Sequence, residues 1–192
     1  MAKLTGTPPP GIGHNLGPSM EAGRSWRIHS WTRAKQQAAR EKLTPDMARR
    51  RVARARELGL DYASYASIRA TSGRDVSGFL FSSTGLRITP NRPDPSDEIA
   101  EKLCALKGVA RIAMLHAPLD RIAVDRLRPF FDAIHAAPSL LAAFPRIRSA
   151  LAKAQEGRPA AGLVVIGTGL EADWVAAGRL GGMVEADHYF AL

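Results

Sequence analysis

Two short stretches carry the residue types that handle phosphate. Ser82-Ser83-Thr84-Gly85 sets three hydroxyls and a glycine directly after the apolar run from Val76 to Phe81, and Gly167-Thr168-Gly169 follows the apolar run from Gly162 to Ile166. Hydroxyls donate hydrogen bonds to phosphate oxygens, and glycines let backbone N–H groups come close to them. The second stretch extends to Gly167-Thr168-Gly169-Leu170-Glu171-Ala172, which is G-x-G-x-x-A after a strand, with Glu185 or Asp187 near the distance expected of a ribose-binding acid. That is the form of a dinucleotide-binding turn. Few residues follow for the strands that usually complete such a domain, so a tight strand-to-helix turn needing small residues is the competing reading.

A second chemistry, neutralisation of phosphate charge, is concentrated earlier in the chain. Lys plus Arg total 27 against 18 Asp plus Glu, and 14 of the bases but only 5 of the acids precede residue 75. The remaining residues hold 13 of each, so the whole net charge of +9 lies in the first 74. Such asymmetry suggests a polyanion-binding stretch beside a neutral domain, although an arginine-rich helix surface can serve solubility alone. The residues placed to contact phosphates are Arg33, Lys35, Arg40, Arg49, Arg50, Arg54, Arg56 and Arg69. Base-edge readout is poorly supplied: the helix after Gly59 offers Ser64, Ser67 and Arg69, without Asn, Gln or paired arginines. Trp26 and Trp31 could stack on bases or pack between helices.

Other groupings carry less. Asp132 and His135 stand three apart, and His116 and His188 fall near strand ends, but no spacing assembles three metal ligands, so no cofactor is expected. G-x-S-x-G is absent, and nothing in the sequence brings a base to a particular serine. A catalytic role is therefore not expected. Cys104 is the only cysteine, which excludes an internal disulfide and suits a reducing compartment. No stretch approaches the roughly 18 apolar residues of a membrane span, and the proline- and glycine-rich start lacks the apolar core of a signal peptide, so the cytoplasm is expected.

The elements that must position these residues follow from periodicity and caps. Residues 1–24 have too few apolar side chains to offset ordering and read as a disordered tail. Residues 25–74 read as a basic, helix-turn-helix-like module. Its helices run over 25–43, over 45–58 behind the Thr44-Pro45-Asp46 start, and from the Asp61 cap to Gly73. Residues 75–192 read as a small α/β domain. Strands are expected at 76–81, 111–115, 162–166 and near Met183, and helices at 96–106, 171–180 and, with breaks at Pro129, Pro138 and Pro145, over 120–155. Strands alternating with helices imply an open, mostly parallel, Rossmann-like sheet.

The run Phe79-Leu80-Phe81-Ser82-Ser83-Thr84-Gly85-Leu86 resembles the first-strand motif of haloacid-dehalogenase-like phosphohydrolases. Val165-Ile166-Gly167-Thr168 through Asp173, Ala176, Ala177 and Gly181 resembles their last. The resemblance covers about 30 residues. Ser82 stands where that family has its nucleophilic Asp, Thr84 where it has its acid/base Asp, and Thr168 in its late Gly-Asp pair; Asp173 alone corresponds to a retained acid. Mg²⁺-assisted phosphoryl transfer needs those carboxylates, so the resemblance implies the fold without the usual chemistry. Ile12-Gly13-His14-Asn15-Leu16-Gly17-Pro18 resembles a segment at the N-termini of uncharacterised bacterial and phage-related proteins. Glu57 to Tyr65, Gly73 to Val76 and Phe79 to Ser83 resemble one such family, which implies a bacterial source and transfers no activity.

The expectation is thus a nucleic-acid-associated binding protein, for DNA or RNA, held by phosphate contacts. The alternatives are a nucleotide-binding or phosphohydrolase-like module acting at Ser82–Gly85 and Gly167–Gly169, and an interaction protein whose partner is an acidic protein or an anionic membrane surface.

Overall fold

A computed structural model describes residues 44–191. The expected tail and the expected helix over 25–43 lie outside them. The first described helix, α1 (Pro45–Glu57), starts as its sequence dictates: the Thr44 hydroxyl accepts from the Met47 N–H, and Pro45 takes the first helical position. Helix α2 (Tyr62–Ser72) is capped by the Asp61 carboxylate on Ser64 N–H and ends at left-handed Gly73.

Five parallel strands follow: β1 (Gly78–Ser82), β2 (Ala110–Leu115), β3 (Ala133–Ala136), β4 (Leu163–Gly167) and β5 (Gly182–Glu185). Their order is β3-β2-β1-β4-β5. The chain builds outward from β1 to one edge and then returns to place β4 on the other side of β1. The α/β class with an open parallel sheet is therefore as expected, and the topology is compatible with a Rossmann-like arrangement. Between and after the strands stand α3 (Asp97–Ala105), α4 (Leu119–Ile122), α5 (Val124–Leu127), α6 (Phe144–Gln155), α7 (Ala172–Gly178) and α8 (Ala186–Ala191).

Side-chain alternation divides the sheet into two buried faces. Phe79 and Phe81 of β1, Ala113 and Leu115 of β2, and Val164 and Ile166 of β4 face one core with Ile99, Leu103, Leu127 and Tyr189. Leu80, Ile112, Met114 and Val165 face the other, closed by Ile147 and Leu151 of α6 and Trp174 and Val175 of α7. Ala55, Leu58, Leu60, Tyr65 and Ile68 belong to the first of these cores. The helical hairpin expected to end at residue 74 and the sheet expected to begin at 75 thus share one apolar layer.

Two elements differ from the expectation. The region over 120–155 contains strand β3, whose four residues pair on one side only and lack the alternation that marks a half-buried strand. The chain also continues past β5 into α8, which buries Ala186 and Tyr189.

Candidate functional site

Helix α1 presents two faces. Ala55 is buried, while Arg50 and Ala53 are exposed on the opposite side and Arg49 and Arg56 are exposed on its flanks. Arg49 pairs with Asp46 at 3.2 Å, but both side chains are about four-fifths exposed, so water and salt compete with that pair. Arg54 departs from the expectation that it lies on this cationic face. Its guanidinium turns back onto the body of the protein. It donates to the carbonyls of Val76 (3.1 Å), Gly108 (2.9 Å) and Lys107 (3.3 Å), and to the carboxylates of Glu57 (2.9 Å) and Asp75 (3.2 Å). Five acceptors around one fork of donors make Arg54 a structural clasp between α1 and the sheet. Arg69 is half-buried, 3.8 Å from Asp75 and within hydrogen-bond reach of the Tyr65 hydroxyl. Arg33, Lys35 and Arg40, with Trp26 and Trp31, lie outside the described residues.

The same clasp limits the helix-turn-helix reading. Helix α2, the would-be recognition helix, packs onto the sheet through Tyr65 and Ile68, and Ser64 and Ser67 are half-buried. Of the arginines in these two helices, the exposed ones, Arg49, Arg50 and Arg56, belong to α1, the helix that in that template crosses the backbone rather than reading the groove.

The carboxyl ends of β1 and β4 bring together the second set of expected residues. Ser82 is fully buried; its hydroxyl accepts from Gly85 N–H at 3.0 Å and lies 2.8 Å from the Thr84 hydroxyl. Thr84 donates to Glu171. The other Glu171 oxygen accepts from the Thr168 N–H at 2.8 Å and the Thr168 hydroxyl at 3.0 Å. Glu171 is completely buried, and its carboxylate occupies the donors that a bound phosphate would otherwise take. The loops touch so closely that a Cβ on Gly85 would stand 2.8 Å from the Ile166 carbonyl oxygen and 2.9 Å from Gly167 Cα. Gly169 has open space around it. Close approach therefore requires a glycine at Gly85 and also at Gly167, whose Cβ would stand 2.9 Å from the buried Glu171 carboxylate, while no crowding explains Gly169.

Ser83 engages a different partner. Its hydroxyl lies 2.8 Å from His116 Nδ1 and accepts from the His116 backbone N–H at 3.1 Å. The His116 ring stands 5.9 Å from that of Trp174. Burial pushes the imidazole below its ordinary pKa, with the Glu171 charge acting in the opposite sense. This is a serine–histidine pair in contact, but Ser83 is 2% exposed, so its hydroxyl is closed to a substrate. Glu171 is not among the residues the sequence marks for phosphate, although Thr168-x-x-Glu171 has the spacing of a capping box.

The remaining acids and histidines are held elsewhere. Asp173, the acid corresponding to the phosphohydrolase pattern, is exposed in the first turn of α7. Asp187 pairs with Arg87 at 2.7 Å, Asp132 with Arg111, His135 with Glu156, and His188 with Asp61. Among the described residues no group of three His, Cys, Asp or Glu side chains is placed to hold a metal ion. No helix among them is long and apolar enough to cross a membrane. Comparison with known proteins returns no relative: no family model, no curated protein and no solved structure matches the chain.

Proposed function

We propose that this chain is a polyanion-binding protein, with nucleic acid as the foremost partner, which it holds by phosphate contacts from the exposed face of α1. The observation that supports this reading is the division of labour along that helix. Arg54 and Ala55 fix it to the sheet, and Arg50, Arg56 and Arg49, the last in an exposed pair with Asp46, are open to solvent. Phosphate contacts need positive charge and donors without a particular base sequence, and all of the chain's net charge lies in the first 74 residues. The strand-end cluster does not favour phosphoryl transfer. Ser82 and Thr84 stand at the positions of the catalytic carboxylates in the resembling family, and both hydroxyls are already engaged.

Replacing Arg49, Arg50 and Arg56 together by Gln tests the proposal. The variant should lose at least about tenfold in affinity for unrelated DNA and RNA oligonucleotides alike, as expected for several phosphate contacts. Retention of full affinity by the variant would refute it. Binding of an acidic protein with no binding of nucleic acid would move the reading to an interaction protein.

A further inference from the structure

At the carboxyl end of the sheet, on the side away from the helical hairpin, the loop between β3 and α6 and the first residue of α6 turn apolar side chains outward. Leu141 is 96% exposed, and Leu140 and Phe144 are about half exposed. Leu170, 59% exposed, lies at the same end in the turn before α7, the helix packed against α6. Scattered apolar residues on a surface need no explanation, but three large ones within five positions form a patch. A shallow hollow of about 430 Å³ runs beneath it, lined by Pro138, Leu141, Ala142 and Arg146 among others.

The charges beside this patch are one-sided. Residues 137–155 contain Arg146, Arg148 and Lys153 and no carboxylate, within a half of the chain that is otherwise balanced. Arg146 stands in the first turn of α6, where the helix dipole disfavours a cation. The cap residue Ala143 supplies no side-chain acceptor, and no acid occupies that turn. Neither Arg146 nor Arg148 makes an ion pair among the described residues. The exposed carboxylate on the neighbouring element is Asp173, in the first turn of α7.

We propose that this loop docks on an anionic lipid surface, with Leu140, Leu141 and Phe144 entering the interface and Arg146 and Arg148 meeting lipid phosphates. The three side chains would find nothing apolar to bury against on a nucleic-acid backbone. Two such patches facing each other would set Arg146 and Arg148 against their own copies, with no acid among residues 137–155 to offset them. An anionic bilayer satisfies both requirements, since apolar burial and attraction of basic residues add at its surface. The inference is independent of the binding assigned to α1.

The test uses the full chain with Cys104→Ser and Leu141→Cys, labelled at the new cysteine with an environment-sensitive fluorophore. A second chain carries the label at Ala152→Cys, at the far end of α6 from Phe144. Vesicles of phosphatidylcholine mixed with phosphatidylserine should shift the emission at position 141 to the blue and leave that at 152 unchanged. Vesicles of phosphatidylcholine alone should shift neither. In flotation, Leu141→Asp with Phe144→Asp should lower binding at least about tenfold. Arg50→Gln with Arg56→Gln should keep the shift at 141. All of these positions are exposed, and an unchanged thermal transition confirms that each variant folds. Equal shifts at both labels, no shift at 141, or flotation unaffected by the two aspartates would overturn the proposal. Capture of an acidic protein at this patch without vesicle binding would overturn it as well.

Discussion

Arg50 and Arg54 stand one turn apart on α1 and do opposite work. Arg54 joins α1 to the loops before β1 and β2 through three carbonyls and two carboxylates, with its side chain only 20% exposed. Removing it leaves several acceptors without their charged donor, so Arg54→Gln should cost about 2–4 kcal/mol in denaturant unfolding. Arg50→Gln should stay within about 0.5 kcal/mol, because it removes an exposed charge. His116 makes stability depend on pH. Burial holds its pKa below the ordinary 6.5, so the unfolded chain takes up a proton before the folded one does. Stability contributed by the neutral ring is present above pH 6.5 and is lost as pH falls toward the folded value. Urea titrations between pH 6.5 and the carboxylate range should show this loss, and His116→Gln should flatten it. Asp61 acts lower on the scale. Burial raises its pKa, but the Ser64 hydrogen bonds and His188 outweigh that and hold it at about 2, so its contribution declines only as pH drops below 3.8.

Local signals made most of the elements legible. Thr44, Asp61 and Gly73 act through neighbours three or four positions away, and each cap stands where the sequence indicated. The apolar runs of β1, β2 and β4 are equally plain because those strands are buried on both faces. Strand β3 was not legible, since Ala-Ile-His-Ala at a sheet edge carries neither an apolar run nor alternation. The inward turn of Arg54 was hidden for another reason: its carbonyl partners lie more than 20 positions along the chain. At the strand ends, residue types alone suggested a phosphate cradle, and only the fold shows Glu171 filling it. The glycines separate the two views. Gly85→Ala should destabilise strongly, because its Cβ would meet backbone atoms at 2.8 and 2.9 Å, whereas Gly169→Ala should be close to neutral. Thermal melts of the two variants check this directly.

At the scale of the whole molecule, the hairpin and the sheet are bound by a common core. Ala55, Leu58, Leu60, Tyr65 and Ile68 bury against the face that holds Phe79 and Phe81. Fully burying a large apolar side chain contributes about 1.5–3 kcal/mol, so these residues together contribute on the order of 10 kcal/mol, comparable to a domain's entire stability. A fragment of residues 75–192 should therefore lack a cooperative thermal transition, and a sharp one would show that the sheet stands alone.

The same arrangement gives the arginines of α1 a rigid mount for the phosphate neutralisation proposed for them. The most direct measurement is the affinity of the full chain for two duplexes of unrelated sequence across a series of salt concentrations. Log affinity should fall steeply and linearly with log salt, with nearly equal values for both duplexes. Replacing Arg50 and Arg56 by Gln should reduce the slope by about two, in line with two lost phosphate contacts. A salt-independent affinity, a strong preference for one duplex, or an unchanged slope in the variant would contradict phosphate neutralisation by α1.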